Sequence, residues 1–311
     1  MKIQARPYRD PTDLVRMRQL LIDGRQSNIP ASYMHPGCLD WDTHNPPDEQ
    51  ENRRNLQLWE RMGEEPPALE AWAMYWRYEG TFDLFVSPAL HGAPQHEAVM
   101  DEYLAWAEAR AREAEKKQIC PFWLLDYDDV MIRLMKERGF VEIPMDPPPP
   151  LFERSLDELP PIRLPEGFTV HGVSNLDDGW LRARVTHGAF RPNDDWEAYA
   201  DGYSKFIGSA VYDGERDLFV RSPDGRGVSA CVIWFDQVNA VGLFEPVATH
   251  PDFQRMGLGK AVMAEGMRRM KAAGMRRAIV GFDPNNAAAL ALYTSMGFRA
   301  SCYFVAYRKE L

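Results

Sequence analysis

The stretch from Glu245 to Lys260, reading Glu-Pro-Val-Ala-Thr-His-Pro-Asp-Phe-Gln-Arg-Met-Gly-Leu-Gly-Lys, concentrates the residue types able to do chemistry in this 311-residue chain. Within it, Gln254-Arg255-Met256-Gly257-Leu258-Gly259 reads as a tight turn between an apolar strand, Val241 to Val247, and a helix running from Gly257 through Met270. Such a turn leaves successive backbone N–H groups without intrahelical acceptors. It aims them, with the positive end of the helix dipole, at one spot that suits a phosphate. Gly257 and Gly259 let an anion approach the main chain closely, and Arg255 and Lys260 add positive charge. At the other end of the stretch, Glu245 is a carboxylate in a strand of Leu243, Phe244 and Val247, where burial raises a carboxyl pKa toward neutrality. Pro246 cannot donate to a strand ladder, so the strand is expected to bulge or splay there.

The elements that follow extend the pattern. Ala278 to Phe282 is a short β-prone run, Asp283-Pro284-Asn285-Asn286 breaks it, and a helix ends at Gly297-Phe298 before a closing strand, Cys302 to Tyr307. The turn Gln254-x-x-Gly257-x-Gly259, together with Asn286-x-x-Ala289-x-x-Leu292-Tyr293-x-x-x-Gly297-Phe298, resembles the acetyl-CoA binding core of the GNAT N-acyltransferase superfamily. The resemblance covers about residues 240 to 311 directly, and its order of strands and helices extends back to about residue 167.

That resemblance implies a function and a set of roles. The turn would bind the coenzyme A pyrophosphate through backbone amides, with contacts from Val247, Thr249, Gln254, Arg255, Met256, Gly257, Leu258, Gly259 and Lys260, and with Asn286 and Tyr293 beside the pantetheine arm. The activity implied is transfer of an acetyl group from acetyl-CoA to a primary amine. For such a transfer the ammonium must lose a proton, the thioester carbonyl must be polarised, and the departing thiolate gains from a proton. Glu245 is the first choice for the base, acting directly or through water, with Asp283 and His250 as rivals; Tyr293 resembles the family's general acid; Asn286 contacts the pantetheine or caps its helix; the Val247 amide is a donor for the carbonyl. The alternative is an acyl-CoA binding sensor without turnover, which would need only the turn.

The first half of the chain repeats the order of the second. Strand-like residues 2 to 8 lead to a helix from Asp10 to Leu21, a loop-rich stretch with a helix at Glu49 to Met62, aromatic strands Leu69 to Tyr78 and Thr81 to Val86, a helix Ala98 to Lys117, a strand Phe122 to Leu125, a helix Asp128 to Arg138, and a strand Leu151 to Leu156 expected to close that half. Ala98-Val99-Met100 recurs as Ala261-Val262-Met263, and Gly139-Phe140 as Gly297-Phe298. In this alignment Gly257, Gly259 and Lys260 fall on Pro94, His96 and Glu97, while Asn286 and Tyr293 fall on Asp128 and Met135, so the first copy has lost the chemistry. The expected fold is α+β: two tandem GNAT-like domains, each a mixed, mostly antiparallel sheet with helices on both faces. The first spans 1–157 and is non-catalytic, a proline-rich linker occupies 158–166, and the catalytic domain spans 167–311. This tandem layout, with the intact copy second, is similar to that of the mycothiol synthases, although no motif assigns their acceptor. In the second half a segment Arg191 to Ile207 mixes aromatic and acidic groups, as a site for an amine would.

Composition bounds the rest. A 45% hydrophobic and 26% charged chain is that of a globular protein, and its net charge of −10 argues against nucleic acid and suits a cationic amine, whether a small molecule or a peptide. No apolar run approaches the length needed to cross a bilayer, and Cys38, Cys120, Cys231 and Cys302 lack metal-ligand spacing, as do His91 and His96, which are expected to be solvated. A metal-free, cytoplasmic protein, monomeric or homodimeric, is the expectation.

Overall fold

The structure is a computed structural model that describes residues 2–27, 29, 31–45, 48–76, 80–122 and 124–311. Residues 77 and 78, at the end of the expected strand Leu69 to Tyr78, residue 79 of the expected turn Glu79-Gly80 that follows it, and Trp123 of the expected strand Phe122 to Leu125 lie outside the described residues. In chain order the elements are β1 (Ile3–Pro7), α1 (Pro11–Gln26), α2 (Pro36–His44), α3 (Glu49–Asn55), β2 (Leu56–Arg61), β3 (Ala68–Trp76), β4 (Thr81–Val86), α4 (His96–Glu113), β5 (Gln118–Pro121), α5 (Asp129–Glu137), β6 (Val141–Ile143) and β7 (Pro150–Ser155). They continue with β8 (Thr169–Gly172), α6 (Leu176–Phe190), α7 (Trp196–Ile207), β9 (Asp217–Arg221), β10 (Gly227–Asp236), β11 (Val241–Thr249), α8 (Leu258–Ala272), β12 (Arg277–Gly281), α9 (Ala287–Ser295), β13 (Arg299–Tyr303) and β14 (Ala306–Glu310).

The chain divides into two compact units. One comprises Met1–His35, Asp48–Pro150 and Cys302–Leu311, and the other Pro36–Pro47 and Leu151–Ser301. The first unit holds a seven-stranded sheet in the order β1-β2-β3-β4-β5-β14-β6, and the second a seven-stranded sheet in the order β13-β7-β12-β11-β10-β9-β8. Both are mixed and mostly antiparallel: β4 with β5 and β11 with β12 are parallel.

Three expectations about individual elements are corrected. Leu151 to Leu156 does not close the first sheet: β7 pairs antiparallel with β12 of the second, Arg277 opposite Ser155 through Gly281 opposite Leu151. The first sheet is instead completed by β14, which pairs with β5 and β6. An alternating strand encodes which face is buried but not which edge it joins, so the two closing strands were interchangeable by pattern. The helix expected over Glu49 to Met62 stops at Asn55, and Leu56–Arg61 is a strand between β1 and β3, because ladder bonds on both sides and burial of Leu58 and Trp59 outweigh helix propensity. The strand expected at Phe122 to Leu125 forms earlier, as β5.

In the second unit, alternation along the strands builds two faces. Leu218, Val220, Cys231, Ile233 and Phe244 bury against Leu258, Val262, Met263 and Met267 of α8 and Tyr293 of α9. Phe219, Ala230 and Ala248 point the other way, against Val185 of α6. Helices therefore cover both faces of the sheet.

Candidate active site in the second unit

Glu245 sits at a defect in the sheet. Pairing of β10 with β11 runs from Ser229 opposite Thr249 to Cys231 opposite Val247, then resumes at Ile233 opposite Phe244, so Glu245 and Pro246 face the single residue Val232. This is a β-bulge at the position where proline interrupts the ladder, as the sequence leads one to expect. On the other side, β11 pairs with β12 only from Val241 opposite Arg277 to Leu243 opposite Ile279. Beyond Leu243 the two parallel strands part, and the half of β11 that carries Glu245, Val247 and Thr249 faces the gap.

The Glu245 side chain keeps partial exposure, yet dense protein around its carboxyl pushes the pKa up to about 7. Among the described residues no cation or donor pairs with it. Tyr293, 5% exposed on α9, packs edge-on against Phe282 and Phe298 at 5.3 and 6.1 Å. Burial pushes its phenol pKa up, and the nearby charge of Glu245, then that of Cys231, adds to the effect. The charge of Glu245 is thus felt at Tyr293, although 48 positions separate them in the chain.

The turn into α8 has the features that close approach of an anion requires. Arg255 and Gly257 both adopt left-handed φ, 65° and 80°, and Gly257 caps α8 without a side-chain bond. A Cβ on Gly257 would meet nothing within 4 Å, so glycine is demanded by the backbone angle and the space beside it is open. Gly259 has a different reason: a Cβ there would crowd Thr249 Oγ1 at 3.3 Å and Leu292 at 3.4 Å. Ala261 N–H is the first to bond back into the helix, to Gly257 O at 3.1 Å, and among the described residues the amides from Arg255 to Lys260 have no acceptor. Arg255 and Lys260 are exposed and carry no carboxylate partner among the described residues. Thr249 Oγ1 is 2.9 Å from Ser229 Oγ, tying the end of β11 to β10, while Gln254, Met256 and Leu258 complete the turn with only Leu258 buried.

Other candidates are placed less centrally. Asn286 is exposed and its Oδ1 accepts from Ala289 N–H at 3.0 Å, the geometry of a helix N-cap. Asp283 is exposed and accepts from Asn285 N–H at 2.9 Å, a local turn bond. His250 Nδ1 accepts from Asp252 N–H at 3.3 Å, and its ring lies where a Cβ on Gly188 would touch it at 2.8 Å. In the segment Arg191 to Ile207, Tyr203 and Phe206 are buried, whereas Asp194, Asp195, Glu197 and Asp201 are exposed.

Two features were not legible in advance. Trp234 Nε1–H donates to the carbonyl of Glu245 at 2.9 Å, but a tryptophan in an apolar strand reads only as core. Under α6 lies a buried ionic network in which Arg182 Nε donates to Asp217 Oδ1 at 2.6 Å; neither residue is exposed at all.

The corresponding gap in the first unit is filled by its own chain. Parallel pairing of β4 with β5 ends at Phe82 opposite Pro121, but Tyr33 Oη donates to Val86 O at 2.5 Å, and Leu125 N–H donates to Ser32 Oγ at 3.0 Å. What remains is a cavity of about 20 Å³ lined by Ser32, Asp83, Tyr103 and Asp128, among others. Helix α4 begins at His96 with no side-chain cap bond. Contrary to expectation, His91 and His96 are not solvated: His96 is 4% exposed, the rings lie 4.5 Å apart, and burial pushes His91 down to about 4. Among the described residues no three potential ligands gather into a metal site, and no helix is long and apolar enough to cross a membrane.

Comparison with known proteins agrees with this architecture. Residues 179–298 match the sequence model of the Acetyltransferase (GNAT) family. A mycothiol acetyltransferase of Geodermatophilus obscurus is 27% identical over 172 residues, covering 50% of this chain and 52% of that protein. The [ribosomal protein bS18]-alanine N-acetyltransferase of Escherichia coli is 33% identical over 85 residues, 27% of this chain and 57% of that one. The matches thus span only about half the length of these curated relatives. Among solved structures, a tandem GNAT protein from the clavulanic acid biosynthesis pathway aligns over 99% of this chain and 98% of its own with a TM-score of 0.65 at 13% identity. A GCN5-related N-acetyltransferase from Sphaerobacter thermophilus aligns over 99% and 95% with a TM-score of 0.62 at 18% identity. Residues 179–298 are a domain of the Acetyltransferase (GNAT) family, and the chain that carries them is built of two tandem GNAT-like folds.

Proposed function

We propose that the protein is an N-acetyltransferase that moves an acetyl group from acetyl-CoA to a primary amine on a small molecule or peptide, and that the second unit alone does this chemistry. The observation that carries the reading is that β11 leaves β12 beyond Leu243, and that its free half runs from an unpaired carboxylate to a turn of unpaired amides packed against α9, the helix that carries Tyr293. The amides of residues 255–260, with Arg255 and Lys260, fit a pyrophosphate, and the half of β11 holding Val247 and Thr249 fits an extended arm alongside it. Acetyl-CoA bound there would supply the acetyl group as an activated thioester.

Glu245 then takes the proton from the acceptor ammonium, directly or through a water, and its raised pKa matches that task near neutral pH. Tyr293, whose raised pKa keeps it protonated, holds a proton for the departing sulfur. Asn286 fixes the start of the helix that carries Tyr293. The first unit serves as a structural partner, since its gap is filled and Pro94, His96 and Glu97 stand where the turn residues would be.

Titration calorimetry of acetyl-CoA against the parent and a Gly257→Asp variant tests the site. The aspartate adds negative charge beside the turn and strains a left-handed backbone, so binding is expected to weaken at least 100-fold, while the parent binds one molecule per chain. Release of free thiol against a panel of amines then identifies the acceptor class. Binding without release from any amine would turn the reading toward a sensor, and no binding by the parent would end it. Tyr293→Phe keeps the packing against Phe282 and Phe298, so its unfolding midpoint should match the parent while kcat falls roughly 10- to 100-fold; an unchanged kcat removes Tyr293 from the mechanism.

A further inference from the structure

Helix α2 lies far from the second unit in sequence, yet it packs into that unit directly on Trp234. A Cβ on Gly37 would fall 2.3 Å from Trp234 Cβ, so the backbone of α2 rests on that side chain. From the same helix, Trp41 meets the Trp234 ring edge-on at 6.5 Å and the Phe206 ring of α7 at 5.1 Å; Phe206 in turn lies 6.3 Å from Trp234. Trp234 is 5% exposed and has no freedom to swing away. Its indole N–H is committed to one acceptor, the carbonyl of Glu245, at 2.9 Å.

That carbonyl belongs to the bulge. Where two residues of β11 face one of β10, the ladder cannot hold the peptide, and Pro246 offers no N–H. A part-buried carbonyl that the ladder does not engage calls for another donor, and the peptide plane carrying it fixes the backbone from which the Glu245 side chain leaves. A hydrogen bond from a ring clamped on two sides holds that plane still.

We propose that Trp234 is a positioning residue for Glu245, held in place by Trp41 of α2, so that a segment outside the family-matched region sets the geometry of the base. This rests on Glu245 acting as the base. Small displacements of a catalytic group cost rate steeply, which is why a single distant hydrogen bond matters here.

The test compares Trp234→Phe, Trp41→Leu, Glu245→Gln and the double variant Trp234→Phe/Glu245→Gln, each first checked for a parental acetyl-CoA dissociation constant. Trp234→Phe keeps an aromatic ring but loses the donor. It is expected to lower kcat about tenfold and to move the midpoint of the pH–rate profile, with the acetyl-CoA dissociation constant within twofold of parent. Trp41→Leu keeps the donor but loosens the ring, and is expected to lower kcat about threefold. In the double variant Trp234→Phe should add no further loss, because there is no carboxylate left to position. If Glu245→Gln is slow but Trp234→Phe keeps the parental kcat and midpoint, or if the two losses multiply, the positioning role is overturned while the base survives. If Glu245→Gln keeps its rate, the base reading itself has failed and this role with it. Should Trp234→Phe not fold, Trp41→Leu decides: a parental kcat overturns the proposal.

Discussion

Glu245→Gln is expected to lower kcat/KM by about 10²- to 10⁴-fold, the usual contribution of a positioned general base, with little change in acetyl-CoA affinity. In the parent, the rate should rise with pH through about 7, where the carboxyl deprotonates, and this limb should vanish in the variant. The same substitution has an opposite effect on stability. Because the folded pKa, about 7, lies above the ordinary 4.5, the folded state binds a proton that the unfolded state releases between those values. The parent therefore loses stability as pH climbs from about 4.5 through 7. Glutamine stays neutral throughout, so the variant should match the parent near pH 4.5 and exceed it at pH 8 by on the order of 1–2 kcal/mol, after allowing for partial exposure. Denaturant titrations at the two pH values, beside initial rates across the same range, check both signs. A variant that is slower but no more stable at pH 8 would place the carboxyl in solvent rather than in protein.

The second large effect is structural. Asp217, at the start of β9, accepts from Arg182 Nε at 2.6 Å and from Tyr212 Oη at 3.2 Å, and the Tyr203 hydroxyl also donates to it. Arg182 further donates to Thr186 Oγ1 at 3.0 Å and lies over the Tyr203 ring at 4.9 Å, while Tyr199 donates to the same threonine at 2.8 Å. This network joins α6, α7 and β9, with the Arg182–Asp217 pair at its centre fully buried and Tyr199 and Tyr212 half-buried at its margin. Asp217→Ala strands a buried guanidinium and two phenols, and is expected to cost about 3–5 kcal/mol, or roughly 10 °C in the melting temperature. Replacing both ions, as Arg182→Met with Asp217→Leu, removes the stranded charge and should cost less than Asp217→Ala alone. Urea unfolding midpoints of the three proteins measure the difference. A loss below 1 kcal/mol for Asp217→Ala would mean that the ion pair is more hydrated than its burial indicates.

Helix α7 makes a useful contrast with the turn. Its mixture of aromatic and acidic residues reads in sequence as a surface suited to an amine. In the structure Tyr203 and Phe206 are core residues, with Tyr203 bound into the ionic network, while Glu197 and Asp201 face outward. Composition alone could not separate these two sets, because the faces of a helix interleave every three or four residues.

What the sequence determined by itself was the local chemistry of the second unit. Gly257 before a helix, a proline after Glu245 and Asn286 ahead of an apolar helix each act through their own backbone: a left-handed φ, a missing N–H and a cap. Local causes of this kind are written in adjacent residues, so the turn, the bulge and the helix start were readable. The resemblance carried by these motifs also placed Tyr293 beside them. Tertiary structure alone decided which edge each closing strand joins, since β7 and β14 have equivalent alternation and differ only in the neighbours available to them. It alone filled the gap of the first unit with Ser32 and Tyr33, brought α2 onto Trp234, and set Arg182 against Asp217. Those contacts join residues tens to hundreds of positions apart, and no local pattern records them, because side-chain packing and buried polar pairing are chosen only when the whole chain has collapsed.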